Sequence, residues 1–404
     1  MKNTDRSEKN KNIRITDRIA VYVSCAFLLC FLIGFFAVPK KEFSESENRM
    51  LSKAPEFSFD NIISGSFTGE MGTYVADHFP MRDEFLCVFT ETERLSGRKE
   101  IEGVYLAKDG SLIEAYDAPV NTQKQIEQFG KLTENVTNAE CYLMLVPTAV
   151  SVYSDKLPEY APDLRTQAQN DVIEEVNNDV TQNDVIEYIY SEVPDDLNTI
   201  NVSGKLINSS EKDPDHRLFY RTDHHWTTYG AYIGYEAFCE AAGLLPVPLS
   251  SYDSSTVSED FRGTIYSKLN DPYFGTDTII SYSHPDWNLT VEYSDTGEMT
   301  DTPYNPEYLS RKDQYSYFLN NIHPLVTVTN DSVKDGAIAV VKDSYANCFV
   351  PYLFAHYHTV YIFDTRYYKG GPSKFINEHP DITDVLILYN MNTIDNDAGI
   401  GGVY

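Results

Sequence analysis

The chain has 404 residues, with 32 basic and 61 acidic side chains and a formal charge of −29. An apolar content of 42%, including 21 Phe and 30 Tyr, is enough for a core and excludes wholesale disorder. The acidity argues against nucleic acid as a partner, because phosphate binding needs a surplus of Lys and Arg.

Charge is uneven along the chain. Residues 1–41 carry eight Lys or Arg and three acids, which leaves 24 basic and 58 acidic groups, or −34, for residues 42–404. Ile19 to Val38 is an uncharged run of 20 residues. At ~1.5 Å per residue it matches a hydrocarbon core of roughly 30 Å. Six basic residues precede it and Lys40 and Lys41 follow, so the positive-inside rule puts residues 1–18 in the cytoplasm as a tail. The run is too long for a signal-peptide core, and Phe35 to Pro39 is a poor cleavage site. Residues 19–38 are therefore expected to be an uncleaved signal anchor of a single-pass protein of the cell membrane. The C-terminal domain would lie outside the cell.

Residues 39–100 are expected to be a stalk (42–58) and an N-terminal helical segment, with helical spacing at Met71, Tyr74, Val75 and His78. From residue 101 to 404 the pattern becomes α/β. Val104–Leu106 and Leu112–Ile113 flank the turn pair Asp109-Gly110, a hairpin signal. Residues 121–137 read as a helix, Cys141–Val146 as a buried strand, 164–181 as a polar amphipathic helix and Val185–Tyr190 as a further strand. Residues 270–320, rich in Tyr, Asp, Ser and Pro, read as a long surface excursion. The last third reads as strand 337–341, helix 347–356, strand 359–363, helix 373–379 and strand 385–389, which implies a parallel sheet. Functional groups are expected at the carboxyl ends of those strands. Those ends hold Asp343-Ser344, Asp364-Thr365-Arg366 and Asn390. The four cysteines beyond the apolar run form no CxxC pair, so no zinc or redox centre is indicated.

Two segments carry chemistry. In Arg221-Thr222-Asp223-His224-His225-Trp226-Thr227-Thr228, a helix is expected to start at Thr227 or Thr228 and to end at Gly243. An extended backbone before the cap would turn Asp223 and His225 to one face, with His224 and Trp226 opposite. Three readings stay open for this segment: a packing or capping histidine pair, a metal site of Asp223, His224 and His225, or the orienting half of a hydrolytic triad. Adjacent histidines point apart on a strand, which makes a single metal site awkward. The second segment is Lys342-Asp343-Ser344-Tyr345. A Ser between a buried strand and a helix presents its hydroxyl at the rim of the sheet, next to amides that can face an oxyanion. The competing reading is helix capping by Asp343 or Ser344.

With these residues in view, the sequence resembles the DHHW protein family, named for the motif Asp223-His224-His225-Trp226. The resemblance covers most of residues 44–392, including SESENRMLSKAPEFS (44–58), DHFPMRD (77–83), YLMLVPTAVSVYSDKLP (142–158), EDFRGTIYSK (259–268), VVKDSYANCFVPYL (340–353), DTRYY (364–368) and LILYN (386–390). That family is similar to the SGNH-hydrolase-like alginate O-acetyltransferases. The resemblance implies an SGNH-hydrolase-like three-layer α/β domain with a mostly parallel sheet over residues 101–404. It also implies Asp223 as orienter, His225 as general base and Ser344 as nucleophile, in an order with the Ser after the His. The usual early GDS block and a dedicated Gly oxyanion block are missing. Tyr345, Asn390 and Arg366 are the candidates for oxyanion or substrate contacts.

The expected activity is acyl-ester chemistry, O-acetyl transfer or acetyl-ester hydrolysis, on an exported cell-surface polysaccharide. It needs no cofactor or metal. A transferase outside the cytoplasm implies a partner membrane O-acyltransferase that supplies acetyl groups. The competing functions are a non-catalytic envelope carbohydrate-binding or scaffold protein, and a metal-dependent hydrolase using Asp223 with His224 or His225.

Overall fold

The computed structural model describes residues 2–44, 46–47, 49–117, 119–159, 161, 181–394 and 399–403, with side chains from residue 17 onward. The chain divides into two compact units, residues 1–92 and 93–404.

The first unit opens with helix α1 (Lys2–Ala37). Its segment Asp17–Ala37 is long and apolar enough to cross a membrane. A short antiparallel pair follows, β1 (Phe43–Ser44) with β2 (Arg49–Met50). Helices α2 (Phe59–Ser64), α3 (Ser66–Asp77) and α4 (Arg82–Leu95) come next. Ser58 caps α2 by accepting the Asn61 amide, and Gly65 ends it in the left-handed region at φ 81°.

The second unit begins with a three-stranded antiparallel sheet: β3 (Glu100–Ile101), β4 (Val104–Leu106) and β5 (Leu112–Glu114). Gly110, at φ 79°, lies in the turn between β4 and β5. Then follow α5 (Thr122–Asn135), β6 (Glu140–Val146), the single turn α6 (Ala149–Val152), α7 (Gln182–Glu192), β7 (Leu197–Thr199), α8 (Ser203–Lys212) and α9 (Thr228–Ala241). Next come β8 (Asp253–Phe261), α10 (Thr264–Leu269), β9 (Asp277–Ser283), β10 (Leu289–Tyr293), β11 (Met299–Thr300) and β12 (Leu325–Asn330). The chain finishes with β13 (Ala337–Lys342), β14 (Thr359–Phe363), α11 (Pro372–Glu378) and β15 (Ile382–Asn390).

The main sheet has eight strands in the order β11-β10-β12-β14-β13-β15-β6-β7. Strands β14, β13, β15, β6 and β7 run parallel. β12, β10 and β11 extend it antiparallel beyond β14. This is an α/β fold with a large, mostly parallel sheet. Every residue of β13 is buried, as continuous Val and Ala runs in a covered parallel sheet should be. β13 has two parallel neighbours, so the turn after Lys342 lies between the carboxyl ends of β14 and β15.

Several expectations are corrected. Val185–Tyr190 is helical within α7, not a strand. Thr181 and Asp184 form a reciprocal capping box, and Val185, Ile186 and Ile189 bury one helical face. The helix expected at 164–181 lies outside the described residues apart from Thr181. Residues 270–320 are no mere excursion, because they include β9 and two strands of the main sheet. Residues 347–356 do not make one α-helix. They form 3₁₀ turns at Ser344–Cys348 and Val350–Ala355, and Pro351 lacks the N–H that an α-ladder through this stretch would need.

Candidate active site

The DHHW segment sits on a tight reversal rather than an extended strand. Phe219 bridges Trp226 antiparallel, and residues 221–225 bend between them. Asp223 Oδ1 accepts the His225 amide at 3.0 Å, two residues on, and this Asx turn shapes the bend. The same oxygen lies 2.5 Å from His225 Nδ1. The turn therefore aligns Asp223 with His225, a result expected from strand pleating. His224 does not point away, because its ring lies 3.9 Å from that of His225. Thr227 caps α9 by accepting the Gly230 amide at 3.1 Å. Ala242 ends the helix, and left-handed Gly243 follows it.

His225 Nε2 lies 2.8 Å from Ser344 Oγ, across 119 residues of sequence. A continuous chain thus runs from carboxylate to imidazole to hydroxyl. Asp223 is 2% exposed and His225 5%. The second oxygen, Asp223 Oδ2, accepts the Thr264 amide at 2.8 Å and the Thr264 hydroxyl at 3.0 Å. Thr264 Oγ1 lies 2.6 Å from His224 Nδ1, so His224 donates to the hydroxyl that in turn donates to Asp223. Gly263 is required beside it, since any Cβ there would overlap Asp223.

Two bonds tie the DHHW turn to the Ser344 turn. Trp226 Nε1–H donates to the Tyr345 carbonyl at 2.8 Å, and the Tyr345 hydroxyl donates to the His224 carbonyl. Gly234 in α9 leaves room for the Trp226 ring, which a Cβ would approach to 2.8 Å. Tyr315 stacks on His225 with ring centroids 3.7 Å apart and planes 12° apart. Its hydroxyl donates to the Ser344 carbonyl at 3.1 Å.

Electrostatics follow from burial. Desolvation pushes the His225 imidazole down to about 4, His224 adds to the drop, and Asp223 opposes it. Burial alone would raise the Asp223 carboxyl. The charges of His224 and His225, the His225 hydrogen bond and the Thr264 amide outweigh it and hold the group well below the usual carboxylate range. At neutral pH the arrangement is an ionised carboxylate beside a neutral imidazole, which suits a base.

The other candidates are placed differently from expectation. The Tyr345 amide donates to Asp343 Oδ1 at 2.8 Å, so it does not face an oxyanion. The Ser344 amide has no partner among the described residues. Asn390 uses both its amide and its Nδ2 on Asp343 Oδ2, each at 2.7 Å. Arg366 clasps Asp364 through Nε at 2.8 Å and Nη2 at 2.5 Å. Asn390 therefore fastens the end of β15 to the turn after β13, and Arg366 braces the loop after β14. Sequence reading missed Tyr315, Thr264 and Gly263. The stretch EDFRGTIYSK belongs to the family resemblance, but nothing local in it ties Gly263 and Thr264 to Asp223.

Asp223, His224 and His225 also bring one ligand atom each within 4.8 Å of one another. Both His225 nitrogens are already engaged, Nδ1 with Asp223 and Nε2 with Ser344, so an ion bound through His225 would displace one link of that chain.

The DHHW family model matches residues 104–363, which include Asp223, His225 and Ser344. The chain belongs to the DHHW protein family. No curated protein matches it. Among solved structures, a DHHW family protein from Eubacterium siraeum is 23% identical, with a TM-score of 0.60 over 74% of this chain and 95% of that one. PatB1 from Bacillus cereus, solved with a sulfonyl adduct, is 19% identical, with a TM-score of 0.57 over 74% of this chain and 98% of that one. At these identities the likeness establishes a shared fold for this DHHW protein.

Proposed function

We propose that this DHHW protein is a serine acyl-ester enzyme, an O-acetyltransferase or acetylesterase acting on a cell-surface polysaccharide. The observation that carries the reading is the Asp223–His225–Ser344 chain, with Ser344 Oγ 2.8 Å from an imidazole that burial keeps neutral. The acetyl group comes from the resemblance of the motif order to the alginate O-acetyltransferases.

In the proposed cycle His225 Nε2 takes the Ser344 proton as Oγ attacks the ester carbonyl. Asp223, bonded to Nδ1–H, stabilises the imidazolium. The Ser344 amide, without a partner among the described residues, is the proposed donor to the tetrahedral oxyanion. The imidazolium then returns its proton to the departing alkoxide, leaving acetyl-Ser344. A sugar hydroxyl, or water, gives its proton to His225 and attacks the acetyl carbon; the Oγ–acyl bond breaks and the imidazolium returns that proton to Ser344 Oγ. A membrane O-acyltransferase is the proposed source of acetyl groups. With α1 as anchor, the N-terminus would be cytoplasmic and this unit extracellular.

Reaction with a sulfonyl fluoride or fluorophosphonate tests the nucleophile. PatB1 was solved with a sulfonyl adduct, which makes this reagent class the natural probe. Mass spectrometry should place one adduct on Ser344, and Ser344→Ala should abolish both the adduct and turnover of an acetyl ester while leaving the fold intact. Unchanged turnover in Ser344→Ala would sink the assignment. A chain that resists labelling under all conditions would instead favour a scaffold.

A further inference from the structure

We infer that the end of α3 and the start of α4 form a platform seated in the outer lipid interface, with one face of α4 resting among headgroups and upper acyl chains. The inference rests on the reading of α1 as a membrane anchor.

The argument starts from where the turn between these helices packs. Phe79 stacks on Phe31 of α1, with ring centroids 4.9 Å apart and planes 10° apart. Phe85 lies 5.6 Å from Phe31 and 5.8 Å from Phe79. Tyr74 meets Phe35 edge-on at 6.0 Å. Pro80 lies so close to α1 that a Cβ on Gly34 would come 3.2 Å from it. The turn thus leans on the last two turns of the apolar run. Phe31 precedes the end of that run at Val38 by seven residues, or ~10 Å along a helix. A chain that packs at that level beside a crossing helix is within the depth of interfacial segments, about 5–10 Å.

The exposed surface agrees. Met81, Phe85, Val88 and Phe89 are 61%, 42%, 61% and 44% exposed. Their spacing of four, three and one residues puts them on one stripe of α4 and its leading turn. Such a stripe would need covering in water. The polar groups around the stripe pair within the unit. Asp77 accepts Arg49 and the Ser52 amide and hydroxyl, and Arg82 pairs with Glu47. Asp83 is exposed on the far side of α4 from the stripe. Lipid is the occupant these facts select, because the stripe continues an apolar α1 surface that is itself uncovered.

Depth-dependent quenching tests this on the full chain in phosphatidylcholine vesicles with brominated acyl chains. Val88→Trp, Phe85→Trp, Asp83→Trp and Phe27→Trp are compared with the wild type, whose Trp226 and Trp287 set the background. Val88→Trp and Phe85→Trp should lose on the order of half their added emission, since bromines sit at the depth of an interfacial helix. Asp83→Trp should lose little. Quenching of Phe27→Trp with none at positions 85 and 88 would overturn the platform and leave the anchor standing. If Phe27→Trp also escapes, the anchor itself is wrong and the platform falls with it.

Discussion

The two turns that meet at Ser344 use one local device for different ends. In each, a buried Asp accepts the amide two residues on: Asp223 from His225 at 3.0 Å and Asp343 from Tyr345 at 2.8 Å. What the remaining oxygen contacts makes them differ. Asp223 faces imidazoles and Thr264, and its carboxyl is held down. Asp343 faces Asn390 and Thr393 at the end of β15. Burial pushes its carboxyl up, against the donors of Thr393, Asn390 and Tyr345. An Asx turn therefore defines only a backbone shape. The surroundings decide whether its carboxylate tunes a base or fastens a sheet.

The sharpest way to break this contrast is to neutralise each carboxylate in turn. Asp223→Asn should lower kcat for acetyl-ester turnover by on the order of 10⁴, because it loses the tautomer and the stabilised imidazolium. Asp343→Asn should cost about 1–3 kcal/mol of stability in urea melts, from donors left unpaired, with a far smaller loss of rate. Equal losses of rate would show that the two turns are not different in kind.

Displacement without a change of charge comes next. Gly263→Ala forces its Cβ into Asp223, so the carboxylate must move while its chemistry is kept. A misplacement of about 1 Å is worth on the order of 10² in rate. A Gly263→Ala protein with wild-type kcat would mean that the Asp223 geometry is not limiting.

Acid separates the turns by degree of protonation. His225 sits at about 4 when folded, against an ordinary 6.5. Between those values the unfolded chain takes up a proton that the folded one refuses, so this group removes stability as pH falls through the window. Below 4 both states are protonated and the loss stops growing. The rate should fall about tenfold per pH unit below 4, where the base is lost, and stay level from there towards neutrality. A rate that halves near 6.5 would place His225 in a wetter setting than its burial implies.

These effects also mark what could be read in the sequence. The parallel strands after residue 337 were legible because short runs such as AIAVV and TVYIF are buried on both faces. The pairing of Asp223 with His225 was legible from their spacing, although the reason was a turn and not a pleat. α7 departs from the strand that its β-branched Val185 and Ile186 favour because the Thr181–Asp184 capping box starts a helix there. Tyr315, Thr264 and Gly263 were beyond reach. They contact the motif only after β8, β9 and the strands that follow bring residues 260–320 back to it, and no local pattern announces such a return.

Tyr315 supplies the smallest and most discriminating change. Tyr315→Phe keeps the ring stacked on His225 and removes the hydroxyl that donates to the Ser344 carbonyl. A neutral hydrogen bond contributes roughly 1 kcal/mol, or about fivefold if it is made in full at the transition state. The bond fixes the backbone of the Ser344 turn and touches neither Asp223 nor the imidazole nitrogens. Its loss should therefore lower kcat a few-fold while leaving the acid limb of the pH profile where it was. A shifted limb would mean that Tyr315 acts on His225 through its electrostatics and belongs with Asp223 among the groups that tune the base.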